Sequence, residues 1–370
     1  MPGTTQKRIP ALDHLRALAI TLVFLYHYRM FGHPEWIDTY CQFGWAGVDL
    51  FFVLSGYLIS GQIFKGIQRG NFSLKTFFIK RSFRILPAFW VVLALYFLLP
   101  HAREWHGGLA PLWKYITFTQ NYGLDLRYHR AFSHAWSLCV EEQFYLLLPL
   151  TILLLVWIKA GRVAPYILVV LFLAGMGIRL LGWNNIIEPA IGTDTFGLTW
   201  YKWIYYPTYN RLDPLLAGIG IGGIMVWYPR AAQLMHKYAN LLLLLGLMFA
   251  VVAYFVTEEP LSYHATIFGF ALLAIAFGCM VASGTAANSL LNKFSSKITT
   301  TIATLSYGMY LSHKMVVNVV QQQLPRYDIP TDGNLSFFIC TAASIIAAAL
   351  LYFIVEKPFM MLKDRIVARQ

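Results

Sequence analysis

Apolar runs of about twenty residues recur along nearly the whole chain and alternate with short polar segments. An α-helix of that length crosses the roughly 30 Å hydrocarbon core of a bilayer. The pattern therefore predicts an all-α polytopic membrane protein with about ten transmembrane helices. No repeat or linker divides the chain, so residues 1–370 are expected to form a single membrane-embedded domain. The predicted spans are 12–31, 45–63, 85–100, 136–157, 163–182, 211–228, 239–257, 262–284, 299–321 and 335–355.

The first span carries charged side chains where lipid would be expected. Arg16 follows Asp13 by three positions, and His27 follows Arg16 by eleven, close to three helical turns at about 3.6 residues per turn. The three side chains therefore share one face. Because ionisable groups inside a span are costly unless they face protein or a watery cavity, this stripe is a candidate functional site. A local ion pair between Asp13 and Arg16 at the helix start fits the same pattern.

The composition argues against a soluble protein. Apolar residues make up 58% of the chain and charged residues 12%, which is far less charge than a soluble chain carries. The net charge is +12, but no basic run is long enough for a nucleic-acid surface. The four cysteines have no metal or redox spacing, and unpaired thiols are favoured over a disulfide between Cys41 and Cys139.

Loop charge predicts the orientation of the spans. With the N-terminus in the cytoplasm, the inside segments hold eighteen Lys and Arg residues, from Lys7 to Arg369, and the outside loops hold six. This bias follows the positive-inside rule, and an even number of spans then places both termini in the cytoplasm.

A second candidate site is the basic segment KRSFRILP, which precedes most of the third predicted span. Arg81 and Arg84 are three positions apart and share a helical face, and Lys80 adjoins them. Guanidinium groups form bidentate hydrogen bonds with phosphate oxygens. The cluster therefore predicts binding of an anionic cofactor that approaches from the cytoplasm. Each residue alone also fits ordinary contact with lipid headgroups. Pro87 is expected to fix the start of the helix.

A third candidate is the pair of adjacent carboxylates, Glu141 and Glu142, near the predicted outer end of the fourth span. Neighbouring side chains on a helix point about 100° apart, so both cannot face the same partner. One is expected to orient His27 or a substrate hydroxyl. The other pairs locally or interacts with the helix dipole.

Later spans add two polar groups. Arg211 and Asp213 are predicted to form an ion pair at the outer start of the sixth span, and Tyr310 and His313 share a polar stripe. We assign these four residues to substrate binding. Aromatic side chains of the outer loops either stack on sugar rings or anchor at the membrane interface. They are Trp105, Trp113, Trp200, Trp203, Tyr205, Tyr206 and Tyr209.

Together these segments resemble the acyltransferase-3 family of integral membrane acyltransferases. One matching feature is the Arg-x10-His spacing of Arg16 and His27. The other matching segments follow in the family's order over nearly the whole chain, and they are FFVLSGYLIS, KRSFRILP, WSLCVEEQFYLLLP, NRLDPLLAG, SYGMYLSH and VEKP. The family's ten-helix core agrees with the predicted spans. Because the chain ends soon after the tenth span, it resembles a stand-alone member without the SGNH-type domain that some members add.

The resemblance implies transfer of an acyl group, usually acetyl from acetyl-CoA, to a hydroxyl of a glycan or related acceptor. His27 stands at the position of the family's essential histidine, and Arg16 at that of its partner arginine. Arg81 and Arg84 match the family's basic pair, and Glu141 matches the first glutamate of VEEQFY. Family acceptors range over lipopolysaccharide, exopolysaccharide, peptidoglycan and antibiotics. We expect a polysaccharide or lipid-linked sugar at the outer face of a bacterial inner membrane.

In the expected mechanism, cytoplasmic arginines hold the CoA phosphates while the thioester reaches His27 within the membrane. His27 deprotonates an acceptor hydroxyl, or it forms an acyl-histidine in a two-step reaction. Arg16 and Asp13 stabilise either the bundle or the donor, and no metal is expected. The alternative from another class is a transporter or flippase of an acyl donor or glycan intermediate, although no inverted repeat supports it.

Overall fold

The computed structural model describes residues 8–368, so Lys7 and Arg369 of the inside charge set lie outside it. Between residues 8 and 368 every regular element is helical, which confirms the all-α prediction. The α-helices are α1 (Pro10–Tyr28), α2 (Glu35–Tyr40), α3 (Gly47–Gln68), α4 (Leu74–Leu98), α5 (Leu112–Ile116), α6 (Trp136–Trp157), α7 (Ala164–Gly182), α8 (Phe196–Trp200), α9 (Asp213–Trp227), α10 (Pro229–Lys237), α11 (Ala239–Val256), α12 (Phe270–Gly284), α13 (Lys297–Gln323), α14 (Asn334–Leu351) and α15 (Lys357–Ala368).

Seven helical segments of the described range are long and apolar enough to cross a membrane. The number rises to eight if α9 and α10, which are bent by 112°, form one broken span. The chain is therefore a polytopic helical membrane protein, as predicted. α1 and α13 are not among the seven, although they occupy two of the ten predicted spans, because both carry polar side chains. The count of ten spans stays a prediction.

α3 and α12 lie at the centre of the bundle, and α7 and α11 lie at its rim. α3 packs against α9 at backbone distance, since a Cβ on Gly56 would collide with the Leu215 carbonyl. A Cβ on Gly218 would likewise collide with the Val53 carbonyl and the Tyr57 amide. Small residues allow this close approach between helices in lipid. Gly218 of the sixth predicted span therefore serves helix packing.

Two buried ion pairs tie α9 to its neighbours. Arg211, just before α9, donates to both carboxylate oxygens of Asp49 on α3, at 2.9 and 3.0 Å. Asp213, the first residue of α9, pairs with Arg179 on α7. The prediction that Arg211 and Asp213 pair with each other is wrong, because residues two positions apart at a helix start face different neighbouring helices.

α4 begins much earlier than the predicted span 85–100. Its first residue is Leu74, and the Ser73 side chain caps it by accepting the Thr76 amide at 3.3 Å. Pro87 therefore lies inside the helix and does not start it, which corrects the prediction. A proline interrupts only one backbone hydrogen bond, and a membrane helix tolerates that loss when neighbours pack around it. The basic cluster thus belongs to the same rigid helix as the apolar span.

Candidate active site

Two cavities meet inside the bundle, and their linings differ in chemistry. The larger, which we call the basic cavity, has a volume of about 1370 Å³. Its cationic lining consists of Arg16, Lys65, Arg69, Lys80, Arg81, Arg84 and Lys363. The smaller, which we call the aromatic cavity, has a volume of about 360 Å³ and contains His27. Its aromatic lining consists of Tyr26, Trp45, Trp105, Trp136, Tyr201, Tyr205, Tyr206 and Tyr310.

Three arginines of the basic cavity, Arg16, Arg81 and Arg84, come from two helices that are distant in sequence. Arg81 on α4 is held in place by Gln62, whose Oε1 accepts from its Nη2 at 2.8 Å, and it lies over the Tyr145 ring at 5.7 Å. Arg16 on α1 and Arg84 on α4 form no hydrogen bond or ion pair with any residue in the described range. Their guanidinium groups are therefore available to an anion, as a phosphate site requires.

Glu141 lies in the basic cavity and not beside His27. Its Oε1 accepts from Ser55 at 2.7 Å, and its Oε2 accepts from the Tyr145 hydroxyl at 3.0 Å. Glu142 lines neither cavity. Of the two roles predicted for one glutamate, orienting His27 is wrong, because the side-chain partner of His27 is another histidine. Orienting a substrate hydroxyl stays a prediction. Glu141 is nevertheless the member of the pair that faces a cavity.

The tautomer of His27 follows from the hydrogen bonds of His313. His313 Nδ1 lies 2.9 Å from the carbonyl oxygens of Met309 and Tyr310, which only accept, so this nitrogen carries the proton. His313 Nε2 is then an acceptor, and His27 Nδ1, at 2.8 Å, donates to it. The free lone pair of His27 is therefore on Nε2. That atom is suited to take a proton from a ligand in the aromatic cavity.

We expect His313→Leu to lower the turnover of the site about 10- to 100-fold, because it removes the acceptor that fixes the His27 tautomer. His313→Gln retains a side-chain oxygen as acceptor and should recover part of that loss. Nitrogen NMR of the labelled His27 ring distinguishes this role from simple packing. In the wild type Nδ1 should carry the proton, and in His313→Leu both tautomers should appear. An unchanged tautomer in His313→Leu would contradict the assignment.

Tyr310 separates the two cavities. Its ring lines both, as does Val48, and no other residue of the described chain does so. Its hydroxyl lies 2.6 Å from Ser137 Oγ and donates to the His134 carbonyl at 2.7 Å. A ligand in the basic cavity and a ligand in the aromatic cavity would therefore meet at this side chain.

The other predicted residues lie farther from the cavities. Asp13 is buried and pairs with Arg8 at 2.6 Å, so the predicted pair with Arg16 is not formed. Arg211 and Asp213 line neither cavity, and substrate contact through them stays a prediction. Of the predicted loop aromatics, Trp105, Tyr205 and Tyr206 line the aromatic cavity. The four cysteines are unpaired, as the sequence favours.

Sequence reasoning did not assign to the site three basic residues that line the aromatic cavity. His134 packs edge-on against His27 and His313, with ring centroids 5.8 and 5.2 Å apart. Lys314 pairs with the buried Glu104 at 3.8 Å, and Arg130 comes from the loop before α6. His134 opens the motif that contains Glu141, and Lys314 adjoins His313. These positions next to residues already assigned to the site are the sequence feature that could have identified His134 and Lys314.

Comparison with known proteins shows which protein family and which relatives the chain resembles. A family model described as an acyltransferase domain matches residues 9–353. The peptidoglycan O-acetyltransferase OatA of Listeria monocytogenes is 29% identical over an alignment that covers 96% of this chain and 56% of that protein. The O-acetyltransferase OatA of Staphylococcus aureus is 28% identical, with 95% and 57% covered. The chain thus spans little more than half the length of these relatives. No solved structure matches the chain significantly.

Proposed function

The chain belongs to the acyltransferase family of that model, and from this premise we propose that it moves an acetyl group from acetyl-CoA to a hydroxyl of a glycan. The observation that carries the proposal is the meeting of a basic and an aromatic cavity at Tyr310, next to His27. A two-substrate transfer needs separate sites for an anionic donor and a sugar acceptor that touch at one point. A transporter needs one continuous path for one solute, so this arrangement favours the enzyme.

The basic cavity supports binding of the donor. CoA carries a pyrophosphate and a further phosphate, and Arg16, Arg81 and Arg84 supply guanidinium groups from two helices that line the cavity. Lys80 lines the same wall and adds charge. Tyr310 and Ser137 also line the basic cavity, and Tyr310 lines the aromatic cavity as well, so a pantetheine arm that starts at the arginines and reaches Tyr310 would carry its thioester toward His27.

The aromatic cavity supports acceptor binding and chemistry. His27 Nε2 takes the proton of an acceptor hydroxyl, and the oxygen attacks the thioester carbonyl. The resulting tetrahedral intermediate collapses, the C–S bond breaks and the His27 proton passes to the departing CoA thiolate. The new ester bond is on the glycan. If the acyl group first moves to the protein, the same Nε2 lone pair is the atom that would carry it.

The loop charges give the orientation that this route needs. We place the basic cavity toward the cytoplasm, where acetyl-CoA is made, and His27 toward the outer face, with both termini inside. The membrane is then the cytoplasmic membrane of a bacterium, as suits the bacterial relatives named above. Acyl transfer across the membrane requires no movement of CoA through the bundle.

The purified protein in liposomes provides the test. Acetyl-CoA and a peptidoglycan or polysaccharide fragment are supplied as donor and acceptor. The release of free CoA thiol is measured, and the mass of the acceptor is determined by mass spectrometry. We expect acceptor-dependent CoA release together with a gain of one acetyl group on the glycan. Movement of a glycan or CoA across the liposome without any CoA release would instead establish the transporter.

Replacing Arg84 by glutamine should raise KM for acetyl-CoA about tenfold or more with a smaller effect on kcat, since it removes a charge-assisted hydrogen bond to phosphate. Acetyl-pantetheine lacks the nucleotide phosphates, so its KM should change little. Lys75→Gln is the matched control, because Lys75 lies on the same helix α4 but is exposed and lines neither cavity. An equal rise in KM for both donors would contradict phosphate binding by Arg84.

A further inference from the structure

The aromatic cavity carries positive charge that general-base chemistry does not need. We propose that the acceptor bears an anionic group, a carboxylate or a phosphate, close to the hydroxyl that receives the acyl group, and that Arg130 and Lys314 bind it. The proposal rests on the proposed function, because it specifies the acceptor of that reaction.

Among residues 8–368, the buried ammonium of Lys314 has Glu104 as its only ion-pair partner. Its side chain is 3% exposed and lines the aromatic cavity together with His27. Glu104 Oε1 lies 3.8 Å from its Nζ, which is beyond the roughly 2.7–3.2 Å of an N–H···O hydrogen bond. That oxygen already accepts the Phe132 amide at 3.1 Å. Buried donors are nearly always hydrogen-bonded, so within residues 8–368 the Lys314 ammonium lacks an acceptor that a ligand would supply.

Arg130 adds a second cation next to the same aromatic ring, Trp105, in the lining of the cavity. Its guanidinium lies 5.5 Å from the centre of the Trp105 ring, and Lys314 Nζ lies 5.4 Å from the centre of that ring. Arg130 is exposed and forms no ion pair in the described part of the chain. Glu104 compensates one of the two cations, and no Asp or Glu of the described residues lines the aromatic cavity. One positive charge therefore remains uncompensated in the lining of the cavity that contains His27.

A neutral sugar would satisfy the hydrogen bonds of these groups but not their charge. An anion would satisfy both, because bonds between ionised partners are stronger than bonds between neutral groups. Arg130 is exposed although it lines the cavity, and an exposed cation suits a permanent substituent of the acceptor better than an oxyanion formed only during the reaction. At about 360 Å³ the cavity lies at the small end of ligand sites, so it would hold a short stretch of glycan against its aromatic walls.

Acceptor competition tests the proposal with the full-length protein in liposomes and acetyl-CoA. Three acceptors of the same ring configuration are compared, namely a methyl hexoside, its hexuronoside and its 6-phosphate, and mass spectrometry measures the O-acetylated products. We expect kcat/KM for at least one anionic acceptor to exceed that for the neutral one about tenfold or more. A faster reaction with the hexuronoside indicates an acidic sugar, and a faster reaction with the phosphate indicates a phosphorylated or lipid-linked one.

Arg130→Gln should reduce the anionic-to-neutral ratio about tenfold, mainly through KM of the anionic acceptor. Arg130→Lys should retain most of the preference. Arg127→Gln is the matched control, because Arg127 pairs with Asp125 in the same loop and lines neither cavity, and it should leave the ratio unchanged. Equal kcat/KM for all three acceptors, or an unchanged ratio in Arg130→Gln, would overturn the proposal. An absence of CoA release with every acceptor would overturn the proposed function itself, and this proposal with it.

Discussion

Replacing His27 by glutamine is expected to lower kcat for acyl transfer by about 10²–10⁴-fold, the usual contribution of a general base. Glutamine fills a similar volume and can still donate to His313 Nε2, so the pair of side chains should remain packed. What it lacks is the lone pair that accepts the acceptor proton. KM for acetyl-CoA should change little, because the donor arginines lie in the other cavity.

The control is a histidine-to-glutamine substitution at a different position of the same helix, α1. His14 on α1 contacts Thr299 and the Phe294 carbonyl and lines neither cavity, so His14→Gln should retain acyl transfer. Membrane insertion and thermal unfolding of both variants are compared with the wild type. Undiminished transfer by a correctly inserted His27→Gln protein would refute the general-base role. Mass spectrometry of peptides that contain His27, quenched during turnover without acceptor, separates the direct route from an acyl-histidine.

The sequence predicted those parts of the site that depend on local spacing. Arg16 and His27 lie on one helix, so their shared face could be predicted from their spacing in the sequence alone. The basic pair Arg81 and Arg84 was likewise found from one short segment. The structure adds that Arg16 lines the basic cavity while His27 lines the aromatic one, which agrees with their distance along α1.

Partners that come together only in the folded chain could not be predicted in this way. His27 and His313 are 286 positions apart, and nothing in either segment specifies their contact. Arg211 and Asp213 were paired because they are neighbours in sequence, whereas each of them faces a different helix. Proline favours the first turn of a helix, which predicts a helix start at Pro87, but packing around α4 allows this proline in the interior.

Breaking the buried pair of Asp49 and Arg211 should destabilise the fold by about 3–5 kcal/mol, the usual cost of leaving one buried charge unpaired. Neither side chain is exposed to solvent. Among the described residues, Asp49 is the only hydrogen-bond partner of the Arg211 guanidinium, since its Nε and Nη1 have none. The guanidinium otherwise contacts aromatic rings, with the Phe270 centroid 4.1 Å away. In the Asp49→Leu variant the Arg211 guanidinium would keep its contacts with the aromatic rings but would lose its hydrogen bonds.

Removing both charges should cost much less than removing one. The double variant Asp49→Leu with Arg211→Met replaces the ion pair by apolar side chains of similar size, an exchange that is often neutral for stability. Thermal unfolding in detergent should therefore place the double variant close to the wild type and Asp49→Leu well below both. Arg127→Gln, which breaks an exposed pair with Asp125, should change stability by about 1 kcal/mol or less. If the double variant were as unstable as Asp49→Leu, the loss would come from altered packing between α3 and α9, and the account of an unpaired buried cation would be wrong.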